Sequence, residues 1–135
     1  MKKRTIEIVK TSEDFQSSFR RHLCIDTSDF NELIKINELI VRKKKKFELI
    51  IYRTLTNNFL YWDCYNKENI NNKASDITAI KFLDINNDRI YCKEIKDEIG
   101  NLYIIMVLTI KKKSQKNNKN IINLINKINL YEYET

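Results

Sequence analysis

The stretch that decides the fold runs from Asp88 to Lys119, DRIYCKEIKDEIGNLYIIMVLTIKKKSQKNNK. Its first part, Arg89 to Ile95, reads as a strand in which Arg89, Tyr91 and Lys93 share one face by two-residue alternation. Leu102 to Ile110 is apolar on both faces, the mark of a strand covered on both sides. The turn between them, Lys96 to Asn101, holds Gly100, the chain's one glycine, where a positive φ is expected. Then come Lys111, Lys112, Lys113, Lys116 and Lys119 with no acid among them, opening a helix from about Asn118 to Leu130. Ile121, Leu124, Ile125 and Ile128 form the buried stripe of that helix. Cations at a helix start oppose the macrodipole, so this cluster lacks a structural reason of its own and points to a phosphate-rich partner.

Working outward, Ile77 to Leu83 is a further strand, turned at Asp84 to Asp88. Phe47 to Leu55 and Phe59 to Tyr65 read as two β-rich runs around Thr56-Asn57-Asn58, which predicts a hairpin. Lys67 to Ser75 is a polar, Asn-rich loop. A helix is expected from Phe30 to about Lys46, with Asp29 and Glu32 in capping spacing; its end, Arg42 to Lys46, would sit where the dipole is negative. Thr5 to Val9 suits a short strand. Thr11 to Asp14 is a capping box, and Phe15, Phe19 and Leu23 follow at helical spacing. The tail, Tyr131 to Thr135, extends the last helix or folds back as a short strand. The pattern predicts one α+β domain over residues 1–135, with an N-terminal strand and helix pair, a twisted antiparallel sheet and a C-terminal helix.

Composition narrows the function classes. With 42% hydrophobic and 32% charged residues the chain is globular rather than disordered. A net charge of +7 fits nucleic acid or an acidic protein, although an AT-rich coding sequence would also raise the lysine count. No apolar run approaches the roughly 20 residues of a membrane helix, and MKKRTIEIVK reads as a first strand rather than a signal peptide, so a cytoplasmic protein is expected. Cys24, Cys64 and Cys92 are scattered, without a CxxC pair, and predict reduced thiols rather than a disulfide framework or a metal site. His22, the sole histidine, forms no Ser–His–Asp grouping, and there is no glycine-rich phosphate loop.

Over Ile80 to Tyr133 the chain resembles the C-terminal half of RelE/ParE-superfamily toxins, above all the HigB-like, phage-derived branch of type II toxin–antitoxin systems. The resemblance rests on RIYCKE, the apolar strand, IKKKSQK and an amphipathic helix ending in YEYE. Lys112-Lys113-Ser114-Gln115-Lys116 matches the branch's Lys-Lys-Ser/Thr-Gln-Lys segment. The family's proline after that segment is replaced by Asn117-Asn118, and its Phe before the lysines by Ile110. The resemblance implies a metal-independent, cofactor-free ribonuclease of translated messenger RNA at the ribosome, silenced by a cognate antitoxin, as a monomer or in a toxin–antitoxin hetero-oligomer. ParE-like relatives instead poison DNA gyrase.

Such cleavage makes the 2′-OH attack its own phosphate. It needs help with that proton, charge stabilisation on the phosphorane and a proton for the leaving oxygen. Arg89 is the expected phosphate clamp, Lys112 and Lys113 add charge or move a proton, and Tyr133 donates its phenolic proton. Tyr91, Lys93, Lys111, Lys116, Lys119 and Tyr131 are expected to hold RNA; Glu94 points to the other face. A non-catalytic basic module for nucleic acid or an acidic protein remains the alternative from a different class.

Overall fold

The protein is described by a computed structural model covering residues 3–68, 76–111 and 119–135. The decisive hairpin forms as expected. Strand β5 (Asp88–Lys96) pairs antiparallel with β6 (Leu102–Lys111), from Asp88 opposite Lys111 to Lys96 opposite Leu102. Gly100 closes the turn at φ +93, and the Asp97 carboxylate accepts from the amides of Ile99 and Asn101. The register slips between Tyr91 and Cys92, opposite Leu108 and Met106, so Val107 is an extra residue in β6. That bulge turns both Val107 and Leu108 toward the same core.

The other strands are β1 (Ile6–Thr11), β2 (Arg21–Asp26), β3 (Tyr65–Lys67) and β4 (Ile77–Lys81). Among the described residues these six make one sheet, in the order β1-β2-β6-β5-β4-β3. It is mixed rather than antiparallel, because β2 runs parallel to β6 from Arg21 opposite Leu102 to Ile25 opposite Met106. Such a pairing needs a long crossover, and the helices α1 (Phe30–Arg42) and α2 (Lys44–Thr56) leave β2 to begin it. The last helix, α3 (Lys119–Asn129), covers the opposite face. The architecture is α+β in three layers, with one core between the sheet and α1–α2 and another beneath α3.

Three expectations upstream are corrected. The helix expected from Phe15 to Leu23 is absent. The capping box forms, with the Thr11 hydroxyl accepting from the Asp14 amide and Asp14 from the Thr11 amide, but it opens only a single 3₁₀ turn, Ser12–Phe15. Gln16 ends that turn at φ 60, and the chain becomes β2, whose Leu23 and Ile25 enter one core and Cys24 the other. Of Phe15, Phe19 and Leu23, only Leu23 lies in β2; Phe15 ends the 3₁₀ turn and Phe19 sits between the two elements, so their helical spacing marks no single element.

The hairpin expected at Phe47 to Tyr65 is not formed either. Phe47, Ile50, Ile51, Thr54 and Leu55 are the buried face of α2, at helical spacing. Their aromatic and β-branched character suggested a strand, but burial against the sheet overrides that propensity. In the second half only an isolated bridge forms, from Trp62 to Tyr65, the first residue of β3.

The helix expected to end near Lys46 stops at Arg42. Lys43, at φ −120 and ψ 39, separates it from α2. The dipole therefore explains Arg42 alone. Lys43 pairs with Asp84 and Asp88, while Lys44, Lys45 and Lys46 begin α2 exposed, where cations oppose its dipole. The tail takes the second of its two expected forms: Tyr133 bridges to Arg4 as a short strand.

Candidate functional site

Strand β5 carries Arg89, Tyr91 and Lys93 on its α3 side, as two-residue alternation requires, since the bulge lies in β6 and leaves β5 regular. The three have different surroundings. The Lys93 ammonium donates to the carbonyls of Asn129 (2.9 Å) and Tyr131 (2.5 Å), where α3 ends. Burial lowers its pKa, and its charge sits where a helix dipole is negative. Lys93 fastens α3 and the tail to the sheet.

Arg89 lies at the other end of the strand in a different company. Across the β4–β5 pairing it stands directly opposite Lys81, with Ala79 and Tyr91 the next pair on the same face. Like charges in that position repel. Glu68, which follows β3, reaches between them: its carboxylate accepts from Arg89 Nη1 at 3.1 Å and lies 3.6 Å from the Lys81 ammonium. All three side chains are largely buried, at 6% exposure for Glu68, 12% for Arg89 and 19% for Lys81. The Glu68 backbone is held in place by its amide, which donates to the Ile77 carbonyl at 3.0 Å.

Tyr91 is fully buried beside this cluster. Burial, then the charge of Glu68, pushes its phenol up to about 12, so it keeps its proton at neutral pH. Its hydroxyl and the Nε–H of Arg89 are buried with no hydrogen-bond partner among the described residues. Two donors left without acceptors are uncommon enough in a folded interior to require an explanation.

The expected tail residues lie elsewhere. The Tyr133 hydroxyl donates to Asp26 Oδ2 at 2.6 Å, and Arg4 Nε donates to the same oxygen at 2.7 Å. The other Asp26 oxygen accepts from the Ser28 amide at 2.7 Å. Burial, then the hydrogen bond to Asp26, raises the Tyr133 pKa well above its usual value. Tyr131 lies under the Arg4 guanidinium, 3.9 Å from ring centroid to Cζ. These tyrosines bind the tail to β2 and Arg4 rather than joining Arg89.

Lys111 ends β6 and Lys119 begins α3, both exposed. Lys112, Lys113 and Lys116 lie outside the described residues. Glu94 faces the helix-pair side, accepting from Tyr61 (2.7 Å) and Tyr65 (2.6 Å). His22 stacks on Tyr103, and Cys24, Cys64 and Cys92 are buried free thiols whose pKa values burial raises. None of these offers a nucleophile poised for attack.

Of the four residues in this cluster, sequence reasoning named Arg89 and Tyr91 but not Lys81 and Glu68. Lys81 was within reach: the turn at Asp84 to Asp88 places it opposite Arg89 once the hairpin is counted through. Glu68 gave no signal, because it follows an edge strand of only three residues hidden in a polar stretch. No protein-family model matches the chain, and neither a curated protein nor a solved structure does.

Proposed function

We propose that this chain is the toxin of a type II toxin–antitoxin system, related to the HigB-like branch of the RelE/ParE superfamily. It acts as a metal-independent endonuclease of messenger RNA, ribosome-associated in the cytoplasm and neutralised by an antitoxin. The observation that carries this reading is the Lys81–Arg89–Tyr91 cluster, where two facing cations and two donors without acceptors meet on one sheet face. The order of a first strand, helices, further strands and a final helix supports it too, although β2 and its parallel pairing with β6 depart from the expected layout.

In this reading Arg89 and Lys81 take the negative charge that grows on the phosphate oxygens as the 2′-oxygen attacks. Arg89 suits the role, because its fork can hold two oxygens while staying charged. Tyr91, protonated at neutral pH, donates a hydrogen bond toward the phosphate or the departing 5′-oxygen. The resemblance assigns Lys112 and Lys113, outside the described residues, the role of further cations.

Mapping transcript ends after brief induction in cells tests the proposal. Cuts within translated frames are expected for the wild type, and Arg89→Ala should reduce them by roughly 100-fold, the usual cost of one transition-state donor. DNA breaks with intact transcripts would turn the reading toward a gyrase poison. A second reading, a non-catalytic basic binding module, is favoured by Lys44, Lys45 and Lys46, which are exposed and without an ion pair among the described residues. Induction without growth arrest or cleavage would select it.

A further inference from the structure

Resting on that reading, we propose that Lys81, Arg89 and Tyr91 form a preformed phosphate site whose resident occupant is the carboxylate of Glu68, an internal competitor that the RNA phosphate must displace. Two cations held face to face across neighbouring strands need an anion between them, and Glu68 supplies it. The fit is incomplete. The carboxylate accepts one hydrogen bond from the guanidinium, while the Arg89 Nε–H and the Tyr91 O–H, buried beside it, find no acceptor among the described residues.

A planar carboxylate at the end of a short stem is thus smaller than the donor set around it. A phosphodiester has more oxygens, in a tetrahedral array, and can engage the Arg89 fork through two of them while a third meets the phenol. Because the Glu68 amide is fixed to Ile77, the exchange asks only for rotation of the Glu68 side chain. Glu68 also balances part of the cluster's charge while RNA is absent, which removes the cost of two uncompensated buried cations. The same carboxylate that stabilises the empty site therefore weakens its affinity.

The test measures binding of inorganic phosphate, and of a 2′-O-methyl RNA oligonucleotide that cannot be cleaved, to the wild type, Glu68→Gln and Glu68→Gln/Tyr91→Phe. Glu68→Gln keeps the shape and removes the charge. If Glu68 occupies the site about nine-tenths of the time, its neutralisation raises the affinity for both probes roughly tenfold. Adding Tyr91→Phe should take back a large part of that gain. Phosphate should also raise the melting temperature of Glu68→Gln more than that of the wild type. Should Glu68→Gln fail to fold, Tyr91→Phe alone serves: it removes an unpaired hydroxyl, so phosphate affinity falls while thermal stability holds or rises.

Equal phosphate affinity in folded Glu68→Gln and wild type overturns the inference. So does loss of transcript cleavage in Glu68→Gln with unchanged binding, which would make Glu68 the base for the 2′-OH. The two proposals fail separately. Tighter phosphate binding without cleavage in any variant removes the nuclease and leaves the phosphate site. Cleavage by the wild type with unaltered affinity in Glu68→Gln does the reverse.

Discussion

Two buried charged clusters lie on the α3 side of the sheet, and they are built to opposite standards. At Asp26 both carboxylate oxygens are used: one takes Arg4 and Tyr133, the other the Ser28 amide. At Glu68 the count fails, with two buried donors left over among the described residues. A buried ionic network is tolerable when its members are satisfied, and each orphan adds a desolvation penalty with no return in the isolated protein. The complete cluster is therefore read as a lock for the tail, and the incomplete one as a place that receives something. Lys93 belongs with the lock, since its ammonium closes the end of α3.

This division can be broken most directly at Asp26. Asp26→Ala leaves Arg4 and Tyr133 without their shared acceptor and should cost about 3 kcal/mol, seen as a lower denaturant midpoint. It should leave phosphate binding at Arg89 intact; an unchanged midpoint would mean that the network holds nothing. Lys93→Met keeps the stem but removes two charge-assisted hydrogen bonds and should cost about 2 kcal/mol. A large loss of RNA affinity in that variant, without a change in stability, would instead place Lys93 among the RNA contacts.

The smallest effect is a pH profile. The phenols of Tyr91 and Tyr133 have folded pKa values above their ordinary 10, so the native state prefers their protonated forms. Their contribution is fully present below about pH 10 and is lost as pH rises through the folded values, about 12 for Tyr91. Lys93, shifted down by burial, works in the opposite direction over the same alkaline range. Tyrosinate absorbance should thus lag behind that of the unfolded chain, and Tyr91→Phe should remove part of the lag. A titration that matches unfolded tyrosine would contradict the burial of both rings.

The C-terminal half of the fold was legible from its residues, and the N-terminal half much less so. The β5–β6 hairpin, β4 and α3 each carry a local signal: alternation, a turn with Gly100, or a helical stripe. Strand β2 and helix α2 were misread because their residue types contradict their final state, and long-range burial decides the outcome. Arg89 and Tyr91 could be named because strand alternation put them on one face. Lys93 was placed on the right face, but its bonds to the end of α3 were not legible, since the position of that end is a tertiary fact. Glu68 and Asp26, the two acids around which the clusters form, are ordinary residues in sequence. Their importance comes only from the strands that surround them.

The parallel pairing of β2 with β6 has a consequence for synthesis. Arg21 to Ile25 finds its central partner only when Leu102 to Met106 exists, after the helix pair and three intervening strands. On the ribosome the β1–β2 hairpin emerges with one edge open and must keep Leu23, Cys24 and Ile25 from foreign strands until β6 arrives. Closing so long a loop slows folding relative to the local β5–β6 hairpin. The last-made part of the chain is also the part that folds readily, and β6 then serves as the template on which the first-made part sets.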